Sequence, residues 1–254
     1  MSVAHIQQII QQFDKIHLEE MDRVQLMNRV DTKFTFSQSK LAELLPILSK
    51  DYKVLEVDGV LLSEYESLYY DDANLSLYIN HHRKRLDRYK VRYRKYVNSN
   101  IAFLEVKHKK NGRTDKSRIP AKGIPYVMEP EQVSFVRKQG LEGAELVPSL
   151  LNGFKRITLV NKTMNERLTL DIDLTFKWKD EEKKISNVII AELKQERVIR
   201  NSPFYALMKK NLIRPLRVSK YCIGIVTMYG TDNVKYNRFK KKLLKIKKIQ
   251  QDAA

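Results

Sequence analysis

Residues 87–109 read DRYKVRYRKYVNSNIAFLEVKHK, and their period of two decides the fold. Arg88, Lys90, Arg92 and Arg94 stand two apart, with Tyr89, Val91, Tyr93 and Lys95 between them. Beyond the turn signal Asn98-Ser99-Asn100, Phe103, Glu105, Lys107 and Lys109 share one side, opposite Leu104, Val106 and His108. Successive side chains on a strand point to opposite faces, so each segment predicts a strand with one charged, mostly cationic side. The pattern recurs at Arg29, Asp31 and Lys33, opposite Val30, Thr32 and Phe34, and at Glu192 and Lys194, which flank Leu193.

Two structures satisfy this alternation. An open sheet would turn the charged sides to water and pack the other sides on helices. A closed barrel would turn them into a lumen, with the apolar sides packed outward. Arg and Lys lining a lumen require anions to fill it, because uncompensated buried cations are costly. A triphosphate or longer polyanion meets that requirement, since Arg presents a planar fork to phosphate oxygens and Lys a compact charge. Carboxylates among the cations relieve repulsion and offer oxygen ligands to a divalent metal.

Other segments fit the same architecture. Further candidate strands are Tyr52–Val57, Glu64–Tyr70, Lys116–Ile119, Arg156–Asn161, Glu166–Leu174 and Val188–Lys194, with Asp58-Gly59 and Asn111-Gly112 as turns. Apolar spacings of three and four predict helix from Ala4 to Met27, weakening near His17-Leu18, where two short helices could replace one. Ser37–Lys50 reads as a helix capped by Ser37 and kinked or ended by Pro46. Glu129–Gly140 and Ser202–Asn211 read as helices, Asn74–Arg85 as a helix or a long connection, and Tyr221–Met228 as a strand or a buried helix.

The 254 residues carry 48 Lys+Arg against 30 Asp+Glu, a net charge of +18, which implies an anionic partner. Lys235–Ile249 holds eight basic residues and no acid, so much of the excess sits in one segment. It reads as an amphipathic helix with Phe239, Leu243, Leu244 and Ile246 near one face, or as an arm for a membrane surface or nucleic acid. One cysteine, Cys222, excludes an intramolecular disulfide and a multi-cysteine zinc site. No apolar run reaches membrane-span length and no signal peptide is read, so the expected compartment is the cytoplasm, with peripheral attachment at the inner face of the membrane open through the basic tail. The expected organisation is a helical segment at 1–28, one domain at 29–230 and a basic tail at 231–254.

In order, RVDTKF, SLYYDDANLSLY, YKVRYR, FLEVKHKKNGRTDKSR, RLTLDIDL, IIAELK and PLRVSKYCIG resemble the polyphosphate polymerase domain of the vacuolar transporter chaperone family, one of the triphosphate tunnel metalloenzymes. The resemblance spans roughly Leu18 to Gly230. It implies an α+β fold: an antiparallel β-barrel tunnel of about eight strands with helices outside, an N-terminal helix and a basic C-terminal helix. The implied activity is transfer of the terminal phosphate of a nucleoside triphosphate onto a polyphosphate chain, with Mn²⁺ or Mg²⁺. The alternatives are a triphosphatase of the same fold and a non-catalytic polyphosphate or nucleic-acid binder; no specific nucleic acid is expected. By the resemblance, Arg92, Arg94 and Lys107 carry catalysis. Lys33, Lys116, Arg156, Arg167, Arg217, Ser219 and Lys220 join them in holding phosphate, and Glu192 holds the metal.

Against these stand plainer readings: Lys116 as a turn residue, Arg217 as a surface cation, and Glu192 as a partner of Lys194 or Arg94. Glu66 and Glu105 are further metal candidates, better read as partners of lumen cations. His81 and His82 read as exposed and without metal. The inositol-phosphate-sensing domain and membrane helices of the eukaryotic polymerases are not read in these residues. RVDTKF replaces the Glu-x-Glu-x-Lys signature of the hydrolytic tunnel enzymes, which favours the polymerase branch.

Overall fold

The computed structural model describes residues 2–21, 29–163 and 166–251. The chain opens with α1 (Val3–Ile10), β1 (Lys15–Ile16), α2 (Leu18–Met21), β2 (Val30–Ser37), α3 (Gln38–Leu48) and β3 (Tyr52–Leu55). Next come β4 (Leu62–Asp71), α4 (Ser76–His82), β5 (Arg88–Tyr96), β6 (Ile101–Lys110), β7 (Arg113–Ala121) and α5 (Pro130–Lys138). The last part is β8 (Val147–Asn161), β9 (Glu166–Trp178), β10 (Glu181–Ile185), β11 (Val188–Gln195), α6 (Pro203–Lys210), α7 (Lys220–Tyr229) and α8 (Lys240–Gln251), with a 3₁₀ turn at Asn237–Phe239.

The strands form one sheet along the path β2-β11-β9-β8-β4-β5-β6-β7, with β10 beside β9 and β3 beside β8. Every pair is antiparallel except β1 with β3. The expected barrel closure is corrected: among the described residues β7 does not pair with β2. Instead Leu216, ahead of α7, donates its N–H to the Lys33 carbonyl at 2.7 Å, so β2 meets that segment and not β7.

The sheet is nevertheless strongly curled. Lys90 on β5 donates to Ser219 Oγ at 3.0 Å, while Leu216 touches β2. Those strands lie five steps apart on the path, roughly 24 Å if the sheet were flat. The three peptide steps from Leu216 to Ser219 span about 10 Å, and Lys33 on β2 acts electrostatically on Lys90 on β5, as Glu192 on β11 does on Lys107 on β6, so the two ends of the sheet turn toward each other.

Curling places the two alternating sides in different surroundings. Phe34, Phe36, Leu170 and Leu193 pack with Leu41 and Leu45 of α3, Ile6 of α1 and Phe204 of α6. Leu68, Val91, Tyr93, Leu104 and Val106 pack with Val136 of α5. The apolar sides therefore face outward onto helices, and the charged sides face inward. At one end α7 fits against the sheet, its Gly224 so close to Leu150 and Phe176 that a Cβ would lie 2.3 Å from Leu150 Cδ2. Ser219 caps α7, its Oγ accepting from the Cys222 N–H at 3.4 Å.

Several expectations change. The helical reading over Ala4–Met27 resolves into two short helices, α1 ending at Ile10 and α2 starting at Leu18, with Ile16 between them paired in parallel with Leu55; residues 22–28 lie outside the described set. Tyr221–Met228 is the buried helix. Pro46 stays inside α3, which ends two residues later. β7, β8 and β9 all run beyond the expected bounds. Among the described residues, no helix is long and apolar enough to cross a membrane.

Candidate active site in the cationic groove

The registers show which charges share the inner side. Arg92 is opposite Glu105 and Tyr69, Lys90 opposite Lys107, and Lys107 opposite Lys116. Across the groove Glu192 is opposite Lys33 and Thr169, and Lys194 opposite Asp31 and Arg167. Arg156 is opposite Asp171. Of the residues named from sequence, Lys33, Arg92, Arg94, Lys107, Lys116, Arg156, Arg167 and Glu192 thus share one concave side. Ser219 and Lys220 reach it from the start of α7. Arg217 stands exposed outside it. Glu66 is offset by one from Ser67 and Tyr65, so it is exposed on the opposite side, away from the groove cations.

Three carboxylates organise the cations. Glu105, fully buried, accepts from Arg92 Nε and Nη2 at 2.8 and 2.6 Å and pairs with Lys116. Asp171 accepts a two-point hydrogen bond from Arg156, at 2.6 and 2.8 Å, and pairs with Lys220. Glu192 pairs with both Lys33 and Lys194. Burial alone would raise these carboxyls; the facing Arg and Lys overcome it and hold all three below the ordinary carboxylate range.

The remaining cations make no ion pair among the described residues. Arg94 is only 9% exposed, donates through Nε to Ser67 Oγ at 3.2 Å and lies 5.6 Å from the Tyr65 and Phe154 ring centres. Burial, then the neighbouring Arg92, pulls its pKa down to about 10. Lys107 makes no ion pair among the described residues; the Arg92 charge and then burial push it well below the usual lysine range. Burial also lowers Lys90 and Arg167. Cations held this close in a shielded groove are complementary to a multiply charged anion. Tyr69, whose hydroxyl accepts from Arg92 Nη1 at 3.2 Å, adds a phenol within that field; burial raises it, but Arg92, Arg94 and Lys90 win and lower it.

The sequence reading set Lys194 on the charged side with Glu192 but missed Asp171 and Tyr69 as groove members. Period two from Arg167 would have signalled Asp171; Tyr69 needed the β4–β5 register. His81 and His82 were read as exposed, but His82 is buried against Tyr78 and Phe239, with ring centres 6.4 and 5.3 Å away. Cys222 is buried with its thiol pKa raised by that burial, which makes it a poor nucleophile.

Among the described residues, no group of three or more His, Cys, Asp or Glu gathers as a ready-made metal site. Asp31 and Glu192 both pair with Lys194; burial, against the pull of Lys194 and with Glu192 adding to it, raises the Asp31 carboxyl. Two adjacent carboxylates suit Mg²⁺ or Mn²⁺, which use one or two carboxylates and take further oxygens from water and phosphate. The Asp31 and Glu192 oxygens fit a divalent metal completed by further oxygen ligands.

The sequence profile of the VTC domain matches residues 28–229. The chain belongs to the VTC domain family. No curated protein sequence matches it. Among solved structures, this VTC domain is similar to a candidate adenylate cyclase from Bacillus halodurans, with 12% identity over 76% of this chain and 96% of that one and a TM-score of 0.49. It is similar to another from Vibrio parahaemolyticus, with 12% identity, 76% and 97% coverage and a TM-score of 0.46. A third is a candidate adenylyl cyclase from Hippeastrum, described as having a dominant triphosphatase activity, with 14% identity, 77% and 94% coverage and a TM-score of 0.44.

Proposed function

We propose that this VTC domain is a phosphotransferase that moves the terminal phosphate of a nucleoside triphosphate onto a polyphosphate chain. The observation that carries the reading is the convergence of Arg94 and Lys107, which make no ion pair among the described residues, beside Arg92 in one shielded groove. Phosphoryl transfer needs positioning and charge neutralisation more than covalent help from the protein. Arg92, Arg94 and Lys107 neutralise charge at the transferring phosphoryl group. Lys33, Lys116, Arg156, Arg167 and Lys220 hold the flanking phosphates, and Ser219 orients Lys90. The attacking group is a terminal oxygen of the acceptor chain: its bond to the donor γ-phosphorus forms as the bond to the β,γ-bridging oxygen breaks, and nucleoside diphosphate leaves. Glu192, with Asp31 beside it, would hold the divalent metal, which would supply charge neutralisation on the donor phosphates.

Protein incubated with ATP and Mn²⁺, resolved by gel for phosphate chains, tests the reading. Chains longer than the donor are expected, and their loss in an Arg94→Ala, Lys107→Ala double variant. Release of free phosphate without chain growth would make the domain a triphosphatase, and neither product would make it a binder.

A further inference from the structure

A second set of cations lies outside the groove. The start of α8 is pinned to α4: Arg238 Nη1 donates to the Arg83 carbonyl at 2.7 Å, and Tyr78 OH donates to the Lys235 carbonyl at 2.8 Å. Phe239 packs edge-on against Tyr78 and His82, and Lys242 Nζ sits 5.7 Å from the Phe239 ring centre. These contacts bring the run 83–90 beside the run 235–248, two of the most basic stretches of the chain. Asp87 is the sole acid in them, and its carboxylate is engaged by His108 at 2.7 Å. Lys84, Arg88, Arg217 and Lys242 make no ion pair among the described residues, and Arg88 Nε is buried without a hydrogen-bond partner. Arg217 and Lys84 both act electrostatically on Lys242, and Arg88 and Arg217 on Lys109, so the patch is one field.

This patch continues the groove. On β5, Arg94, Arg92, Lys90 and Arg88 follow one another on one side, about 7 Å apart, from the groove toward the end where α4 meets α8. Beyond it, α8 buries Ile246 and Ile249 and leaves Lys240, Lys241, Lys247 and Lys248 exposed. We propose that the Arg88–Arg217–Lys242 patch and the outer face of α8 form a track for linear polyphosphate, extending the groove beyond its end. The proposal rests on the phosphotransferase reading of the groove. An anionic membrane fits less well: Leu244 is the one apolar side chain on the outer face of α8, whose other apolar residues face the core, and interfacial helices bury a whole apolar face.

The test uses the full chain and two probes, tripolyphosphate, which is short enough for the groove alone, and long-chain polyphosphate. A variant carrying Lys240→Ala, Lys241→Ala, Lys247→Ala and Lys248→Ala removes exposed charges only; a second, Lys84→Ala with Lys242→Ala, removes the link to the groove. Each is expected to lose about tenfold or more in long-chain affinity, with a shallower dependence on salt, and to lose much less for tripolyphosphate. Unchanged long-chain affinity in both variants, with tripolyphosphate bound by the wild type, overturns the track alone. Failure of the wild type to bind tripolyphosphate overturns the groove reading, and the track falls with it. Lysine-dependent binding to phosphatidylserine vesicles or single-stranded RNA, with unchanged long-chain polyphosphate affinity, also overturns the track.

Discussion

Glu105→Gln isolates the repulsion stored in the groove. Glu105 is fully buried and holds Arg92 through two hydrogen bonds, at 2.6 and 2.8 Å, together with Lys116. Glutamine keeps the shape and an acceptor but removes the charge, leaving Arg92, Arg94, Lys107 and Lys116 with no carboxylate among them. Removing one member of a buried ion pair costs about 3 kcal/mol or more. For a domain of this size each kcal/mol is about 2–4 °C, so the melting temperature should fall by about 6–12 °C. Tripolyphosphate replaces the missing charge, so its stabilising increment should be larger in the variant than in the wild type. Thermal melts by circular dichroism, with and without tripolyphosphate, measure both quantities. A variant that melts with the wild type, or gains no more from the ligand, refutes the claim that these cations repel one another and await an anion.

Lys107→Met should move stability and binding in opposite directions: it removes a cation crowded by Arg92, so the melting temperature rises, while tripolyphosphate affinity by calorimetry falls about tenfold. Lys220 carries a pH signature, since burial lowers its ammonium to about 8 against the pull of Asp171. Its charge is present below that pH and lost above it, so tripolyphosphate affinity should decline from pH 7 to 9, and Lys220→Arg should flatten the profile. Gly224→Ala should destabilise by about 1–3 kcal/mol in a denaturant melt, reversing the usual helix preference, because the added methyl meets Leu150 and Phe176.

The charged alternation of residues 88–109 was legible because side-chain parity along a strand is fixed by backbone geometry. Parity alone could not say which side is concave. That depends on long-range contacts such as Leu216 to Lys33 and Ser219 to Lys90, which no local pattern encodes. The same limit explains the barrel: the alternation was readable, but the sheet holds eleven strands where about eight were expected, and among the described residues β7 and β2 do not pair. The weakening near His17-Leu18 signalled two short N-terminal helices, but not the strand between them, because pairing of Ile16 with Leu55 is a long-range contact. His82 was misread because its neighbours are basic; Tyr78 and Phe239, the latter far away in sequence, bury it. Arg156 was named without its partner, since Asp171 is set by the β8–β9 register.

The most direct measurement is a crystal structure of the protein with tripolyphosphate. The account predicts phosphate density on the inner side of the sheet, with oxygens within hydrogen-bond reach of Arg92, Arg94 and Lys107. Tripolyphosphate bound only on the outer surface, with those three side chains untouched, would contradict it.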